Sequence, residues 1–272
     1  MAVNFLRYPG GKTRARKHIV PILLGMLEGE SAYCEPFVGG GSVALAIAEK
    51  IPTVRLYLND KDRGVAALWK TIALGHEEEL IERYAQATPS VELFRELKEQ
   101  QLRSRIDLAF RFLALNRMAF SGKTHTSPIG GWEQDKGGKR GSMIDVEWRI
   151  DHVIDGIRKA AKLLAGRTIV TCVDFGQAIV GGAITYLDPP YFEKGRSMYS
   201  VYMSPDDHDR LAQILKGMDG WVLSYDNCKY IRRLYKGYKQ YKLNWLYSAA
   251  GKREDDKTKR ELLIVHQVDL RG

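Results

Sequence analysis

Cysteine is scarce and unpaired in this 272-residue chain: Cys34, Cys172 and Cys228 lie far apart, are odd in number and form no CxxC pair. That excludes a zinc-ribbon spacing and a disulfide framework, leaving reduced thiols in a cytoplasmic protein as the expectation, and no metal. Long apolar runs are missing too. A membrane span takes about 20 consecutive apolar residues, and the best candidate, Ile19 to Leu27, is short and interrupted by Pro21. The basic residues near the start have no apolar segment and cleavage site behind them, so no signal peptide is expected. Internal repeats and low-complexity tracts are absent. Acidic residues are missing from the first 27 positions, which hold five Lys and Arg.

What the chain does carry is clustered basic charge. Lys and Arg number 42 against 33 Asp and Glu, a net of +9. Net charge alone speaks to solubility and non-specific attraction. Here, however, eleven Lys and Arg fall between Lys229 and Arg260, opposed by Glu254, Asp255 and Asp256 and interleaved with Tyr230, Tyr235, Tyr238 and Tyr241. Basic stretches with aromatics fit a polyanion partner; a solvated face is the plain alternative. Hydrophobic residues make up 44% and charged residues 28%, ordinary for a globular protein, and the length suits one large α/β domain with a modest insertion.

Four short apolar patches read as strands: Ser31 to Pro36, Val54 to Asn59, Thr168 to Val173 and Ala183 to Leu187. Helix-like runs follow the first two, at Ser42 to Glu49 and Asp62 to Ala73, so the pattern predicts a doubly wound, mostly parallel sheet. From His76 to about Phe120 helix follows helix, and Ser121 to Trp148 reads as a loop-rich segment long enough to be functional. Alternation resumes later: Ser204-Pro205-Asp206-Asp207 predicts a capped helix to about Lys216. Trp221 to Tyr225 is a strand, Asn227 to Leu234 a helix, and Tyr241 to Ser248 with Glu261 to Gln267 form a C-terminal hairpin. The expected division is a catalytic unit, residues 1–75 and 166–272, interrupted by a helical insertion, residues 76–165.

Two motifs carry chemistry. In the first, Glu35-Pro36-Phe37-Val38-Gly39-Gly40-Gly41-Ser42-Val43-Ala44 runs from strand through a glycine turn into a helix. Glycines let backbone approach a ligand, and the helix start offers positive potential. Gly39, Gly41 and Ala44 satisfy G-x-G-x-x-A, and Asp60 follows at the end of the second strand, where a carboxylate can hold a ribose diol. This reads as a nucleoside-cofactor site without separating a nicotinamide dehydrogenase from a methyltransferase.

The second motif is Asp188-Pro189-Pro190-Tyr191, directly after an apolar strand. The prolines have no N–H, so the backbone there presents carbonyl acceptors only, with the Asp188 carboxylate and the flat face of Tyr191 beside them. An exocyclic amino group needs such acceptors. Its lone pair is delocalised into the ring, and acceptors holding its hydrogens favour a tetrahedral nitrogen that can attack an electrophilic methyl. Tyr191 could stack on a base that has left a duplex.

With these residues in order, the chain resembles the Dam-like DNA adenine-N6 methyltransferases along nearly its full length. The matching pieces are Leu6-Arg7-Tyr8-Pro9-Gly10-Gly11-Lys12, Glu35 to Ser42, Leu58-Asn59-Asp60, Leu115-Asn116-Arg117, Asp188 to Tyr191, and Lys252 to Val265. The resemblance implies a Rossmann-like methyltransferase fold and S-adenosylmethionine as cofactor. It implies contacts to that cofactor from Tyr8, Lys12, Asp60 and Asp188, with Glu35, Phe37, Gly39, Gly41 and Ser42 beside it and Asp174-Phe175 holding its adenine ring. Tyr8 stands where many members have Trp; either ring can meet a cation.

The resemblance further implies that the helical insertion grips double-stranded DNA. Asn116-Arg117-Met118-Ala119-Phe120-Ser121-Gly122-Lys123 matches the family's N-R-x-x-(aromatic)-x-G element. By similarity Phe120 wedges into the stack near a flipped adenine, while Lys123, His125 and Ser127 reach bases or phosphates; Trp132, Lys136, Lys139, Arg140 and Lys252 are expected to add DNA contacts. His125 falls where GATC-reading members carry arginine, the commonest guanine reader, so GATC is not implied. Cytosine N4 and RNA adenine remain alternative acceptors, and the oligomeric state stays open between monomer and weak dimer.

Overall fold

Strands in the middle of a sheet lose both faces to packing, and this sequence supplies near-continuous apolar runs where that happens. Ile184–Leu187 and Trp221–Asp226 are buried along their whole length. The computed structural model describes residues 4–8, 12, 15–133, 143–193, 201–246 and 258–267. Among them seven strands form one sheet: β1 (Ala32–Glu35), β2 (Arg55–Asn59), β3 (Thr168–Thr171), β4 (Ile184–Leu187), β5 (Trp221–Asp226), β6 (Lys239–Leu246) and β7 (Thr258–His266). Their order is β3-β2-β1-β4-β5-β7-β6. The first five run parallel, and β7 lies antiparallel between β5 and β6. This is the doubly wound, Rossmann-like sheet the alternation predicts. β7 begins before the expected Glu261, because the antiparallel ladder is a backbone contact and outruns the apolar stretch, pairing Thr258 with Leu246.

Side chains alternate between faces along each strand. Tyr186, Val222, Leu263 and Val265 join one core, while Leu187, Leu223, Leu262 and Ile264 join the other. The first core is covered by α1 (Arg16–Met26), α2 (Ser42–Lys50), α3 (Arg63–Ala73) and α8 (Ile150–Leu164). The second is covered by α10 (Pro205–Lys216) and α11 (Lys229–Leu234). α10 starts as its sequence demands: Ser204 Oγ accepts the Asp207 N–H at 3.2 Å, and Asp207 Oδ2 accepts the Ser204 N–H at 3.0 Å.

The helical stretch contains α4 (Glu77–Gln86), α5 (Val91–Glu99), α6 (Arg105–Met118) and the short α7 (Met143–Trp148). Its Leu80, Tyr84, Phe94 and Leu113 are continuous with the first core. α7 falls within the segment expected to be loop. Its two buried residues, Ile144 and Trp148, sit four apart among glycines and charges, and Trp148 stacks on Tyr84 with ring centroids 4.1 Å apart. No helix among the described residues is long and apolar enough to cross a membrane.

Chain order reverses between β1 and β4, β2 and β3 lying to one side and β5 to the other. Open α/β sheets place ligands at the carboxyl ends of the strands at such a switch point.

Candidate active site

β1 hands the chain to the glycine turn, which has no room for side chains. Gly41 has φ of 66°, and a Cβ there would stand 2.5 Å from Trp69 Cζ2; one at Gly39, φ 45°, would stand 2.6 Å from Tyr8 Cε1. The buried Trp69 of α3 donates its indole N–H to the Gly39 carbonyl at 2.8 Å. The turn is therefore clamped between an indole and a phenol. Asp60, just past β2, accepts the Gly39 N–H on Oδ2 and the Asp62 N–H on Oδ1, each at 2.9 Å. Burial, followed by the neighbouring Asp62 carboxylate, pushes Asp60 up to about 7. Asn59 before it ties three strand ends together, donating to Pro36 and Val173 carbonyls and accepting the Val173 N–H and Thr171 hydroxyl.

Asp188 follows β4, one strand over from Glu35. The Lys12 ammonium, 4% exposed, stands 2.7 Å from each carboxylate oxygen. Its directed hydrogen bond goes to Oδ2; Oδ1, although as close, is buried and receives no hydrogen bond. Burial raises Asp188 to about 6, with Lys12 pulling against it. Glu35 is 2% exposed and accepts the Tyr33 hydroxyl at 2.8 Å. Burial pushes its pKa well up, which favours the neutral acid.

The loop after Asp188 is fastened at its far end. Asp226, at the end of β5, accepts the Phe192 and Glu193 N–H groups at 3.1 and 2.9 Å. Phe192 stacks on Tyr230 with centroids 4.3 Å apart, and the Tyr191 ring lies 5.1 Å from the Lys12 ammonium. Asp226, Phe192 and Trp69 are supports that sequence reasoning missed. An acid ending a buried strand, Ser224-Tyr225-Asp226, was the one local signal for Asp226.

A cavity of about 430 Å³ opens at these strand ends, a volume usual for a small-molecule site; Tyr191, Phe192 and Asp226 are not among its lining residues. Tyr8, Lys12, Glu35, Phe37, Gly39, Gly41, Ser42, Asp60, Phe175, Asp188 and Pro190 all line it. Phe37 and Phe175 have ring centroids 5.6 Å apart on its wall. Asp174 is not among the lining residues: it caps the short helix α9 (Phe175–Ala178) and is gripped by Arg210 at 2.7 and 2.8 Å. The Arg210 guanidinium also lies 4.1 Å from the Phe175 ring centre. Pro189 is buried behind the wall.

The residues expected at the DNA surface divide. Phe120 is 61% exposed, Ser121, His125 and Ser127 are exposed, and Lys123 is half-buried. Partial burial, then Lys123 and Lys98, lowers the pKa of His125. Asn116 and Arg117 differ from expectation: they are 0% and 3% exposed. Both end α6 facing inwards, where Asn116 bonds Arg7 and Gly122, and Arg117 bonds the Phe5 and Glu147 carbonyls. Lys136, Lys139, Arg140 and Lys252 lie outside the described residues, as does Pro9-Gly10-Gly11.

A glycine turn, an acid at the next strand end and a buried carboxylate beside a proline pair match one family across most of the chain. The family described as D12 class N6 adenine-specific DNA methyltransferase matches residues 8–249. The chain belongs to the D12 class of N6 adenine-specific DNA methyltransferases. A type II methyltransferase, M.MjaIII of Methanocaldococcus jannaschii, is 24% identical to it over 263 residues, covering 86% of this chain and 88% of that relative. The methyltransferase therefore acts on the adenine N6 of DNA and uses a methyl donor, and the dehydrogenase reading of its glycine turn falls away. Among the described residues no group of His, Cys, Asp and Glu could hold a metal ion.

Proposed function

We infer that this methyltransferase takes S-adenosylmethionine in the 430 Å³ cavity and transfers its methyl group to an adenine flipped out of duplex DNA. The observation that carries the reading is the Asp188 carboxylate, which lines the cavity and is held by the buried Lys12 ammonium at 2.7 Å. The fit to the donor rests on charge and shape. Asp60 and Asp188 border the space and suit a cation, the glycine turn admits close backbone approach, and Phe37 with Phe175 offers an apolar wall for an adenine ring. When bound, S-adenosylmethionine supplies an electrophilic methyl on a sulfonium with a stable thioether leaving group.

The chain's own residues do the rest. Asp60 accepts hydrogen bonds from a ribose diol, using lone pairs left over by the Gly39 and Asp62 amides. Lys12 holds the Asp188 carboxylate in place, and that carboxylate accepts one N6 hydrogen of adenine. The proline carbonyls of the loop supply a second acceptor. With its hydrogens held, N6 would present its lone pair to the donor's methyl group, and the Asp188 carboxylate would stabilise the positive charge that builds on nitrogen while the released proton passes to that carboxylate or to water. Asp226 keeps the loop from drifting. Residues 1–75 and 166–272 act as the catalytic unit, and residues 76–165 present Phe120, Ser121 and His125 to DNA.

The test uses methyl-labelled S-adenosylmethionine with duplex and single-stranded DNA. Label should enter N6-methyladenine of the duplex, and Asp188→Asn should abolish it while DNA retention persists. A wild-type protein that transfers no label, or an Asp188→Asn variant at full activity, would overturn the reading.

A further inference from the structure

One buried amide joins the segment beside the cavity to the turn that bears Phe120. Asn116 is wholly buried at the end of α6. Its Oδ1 accepts the Arg7 N–H at 3.0 Å, and its Nδ2 donates to the Arg7 carbonyl at 3.2 Å and the Gly122 carbonyl at 3.0 Å. Both amide hydrogens and the amide oxygen are thus committed. Arg7 adjoins Tyr8, whose ring packs on the glycine turn and lines the cavity. Gly122 closes a turn in which Ser121 holds φ of 55° and Phe120 stands exposed.

The seam is close-fitting. Gly122 has φ of 71°, and a Cβ there would lie 1.5 Å from the Arg7 carbonyl oxygen. The Arg7 guanidinium reaches the Arg117 and Ala119 carbonyls at 3.4 and 3.3 Å, and Arg117 reaches the Phe5 carbonyl at 3.3 Å. Packed seams of this kind transmit displacement because they cannot deform continuously.

We propose that Asn116 is a positioning residue that couples occupancy of the donor cavity to DNA recognition, by fixing Arg7 and Tyr8 to the Phe120–Gly122 turn. The inference rests on the function proposed above, in which the cavity takes S-adenosylmethionine and the turn faces DNA. A ligand on Tyr8 restricts the adjoining Arg7 peptide, and Asn116 passes that restriction to Gly122. Ser121 also borders the cavity and offers a direct route; a change at Asn116 leaves that route intact and so separates the two. Linkage makes the effect reciprocal: the donor tightens DNA by the factor by which DNA tightens the donor.

The experiment measures binding of a fluorescent duplex carrying the methylated sequence, with and without saturating sinefungin, an analogue that cannot transfer a methyl group. The wild type should bind DNA at least about fivefold more tightly with sinefungin, the lower end of ordinary coupling. Asn116→Ala should bring that factor close to one while sinefungin and DNA each still bind alone. Gly122→Ala, which forces the seam apart from the other side while keeping the Asn116 side chain, should do the same. A wild-type factor of one, or variants that bind both ligands and keep the wild-type factor, overturns the proposal. Loss of one ligand's binding with the other untouched also overturns it, because a clamp is felt from both sides. If the wild type binds no sinefungin at all, the donor assignment itself falls, and this inference with it.

Discussion

In the role proposed for it, Asp188 must be a carboxylate to accept a hydrogen from an amino group, so methyl transfer should follow its ionisation. Burial sets its midpoint at about 6 against the pull of Lys12. Roughly nine in ten copies are then ionised at pH 7 and roughly one in ten at pH 5, about a tenfold loss from this group alone. Asp60, raised to about 7 by burial and Asp62, adds a second ionisation to kcat/KM for the donor, which reports the free enzyme. Below pH 6 the logarithm of kcat/KM should therefore fall with a slope approaching two.

Lys12→Met separates the two acids. Methionine fills similar space without charge, and the lost ammonium stood 2.7 Å from both Asp188 oxygens. An opposite charge at such range lowers a carboxyl by about 1 to 3 pK units, so its removal should lift the Asp188 midpoint from about 6 to between about 7 and 9. Activity at pH 7 should drop by about twofold to about a hundredfold and recover as the pH approaches about 9. Transfer of tritiated methyl groups at constant ionic strength across that range reads the profile. A lysine that merely bound the donor would lower activity equally at every pH. If the acid limb of Lys12→Met overlies that of the wild type, Lys12 does not govern Asp188 and the reasoning fails.

Gly41→Ala combines a left-handed backbone with a Cβ 2.5 Å from Trp69, so thermal unfolding should show a loss of about 2–5 kcal/mol and calorimetry a weakened donor. Phe120→Ala removes a ring that is 61% exposed; stability should stay within about 0.5 kcal/mol while duplex binding and methylation fall, and unchanged methylation would remove the ring from recognition. Asp60→Asn tests the cost of burying an acid. Its folded pKa lies above the unfolded one, so this group's stabilisation is full below about 3.8 and is lost as pH rises through about 7, roughly 4 kcal/mol in all. The variant should thus gain stability relative to wild type near pH 8 but not near pH 4, while binding the donor less well; a gain equal at both pH values would contradict the sign.

How much of this was legible depended on how far apart the partners lie in the chain. The capping box of Ser204 and Asp207 is complete within four residues, and α10 begins where the sequence says. The glycine turn and Asp188-Pro189-Pro190 are equally local, because backbone conformation is written in the residues that adopt it. Asn116 and Arg117 were legible as a motif and misread as surface. Polar residues are usually exposed, and nothing near position 116 announces Arg7, 109 residues away, as its partner. Trp69 and Asp226 escaped for the same reason, since each serves a loop that only the sheet brings near. Asp174 shows the converse: a good local match for an adenine-holding pair, its carboxylate is held by Arg210 from another helix.

The switch point explains why acids gather here at all. Glu35, Asp60 and Asp188 leave the ends of three adjacent strands, β1, β2 and β4, whose parallel pairing brings those ends side by side. Burial raises the pKa of each, so each resists its own ionisation. A fold selected only for stability would place apolar residues at such ends, since a buried acid is costly unless a cation faces it. Lys12 answers Asp188. On the donor assignment proposed above, a sulfonium suits the ionised forms of Asp60 and Asp188, which hold a cation more firmly than its neutral thioether product. Methyl transfer then weakens the grip on what is left behind, so the strain that destabilises the empty cavity favours turnover once it is filled.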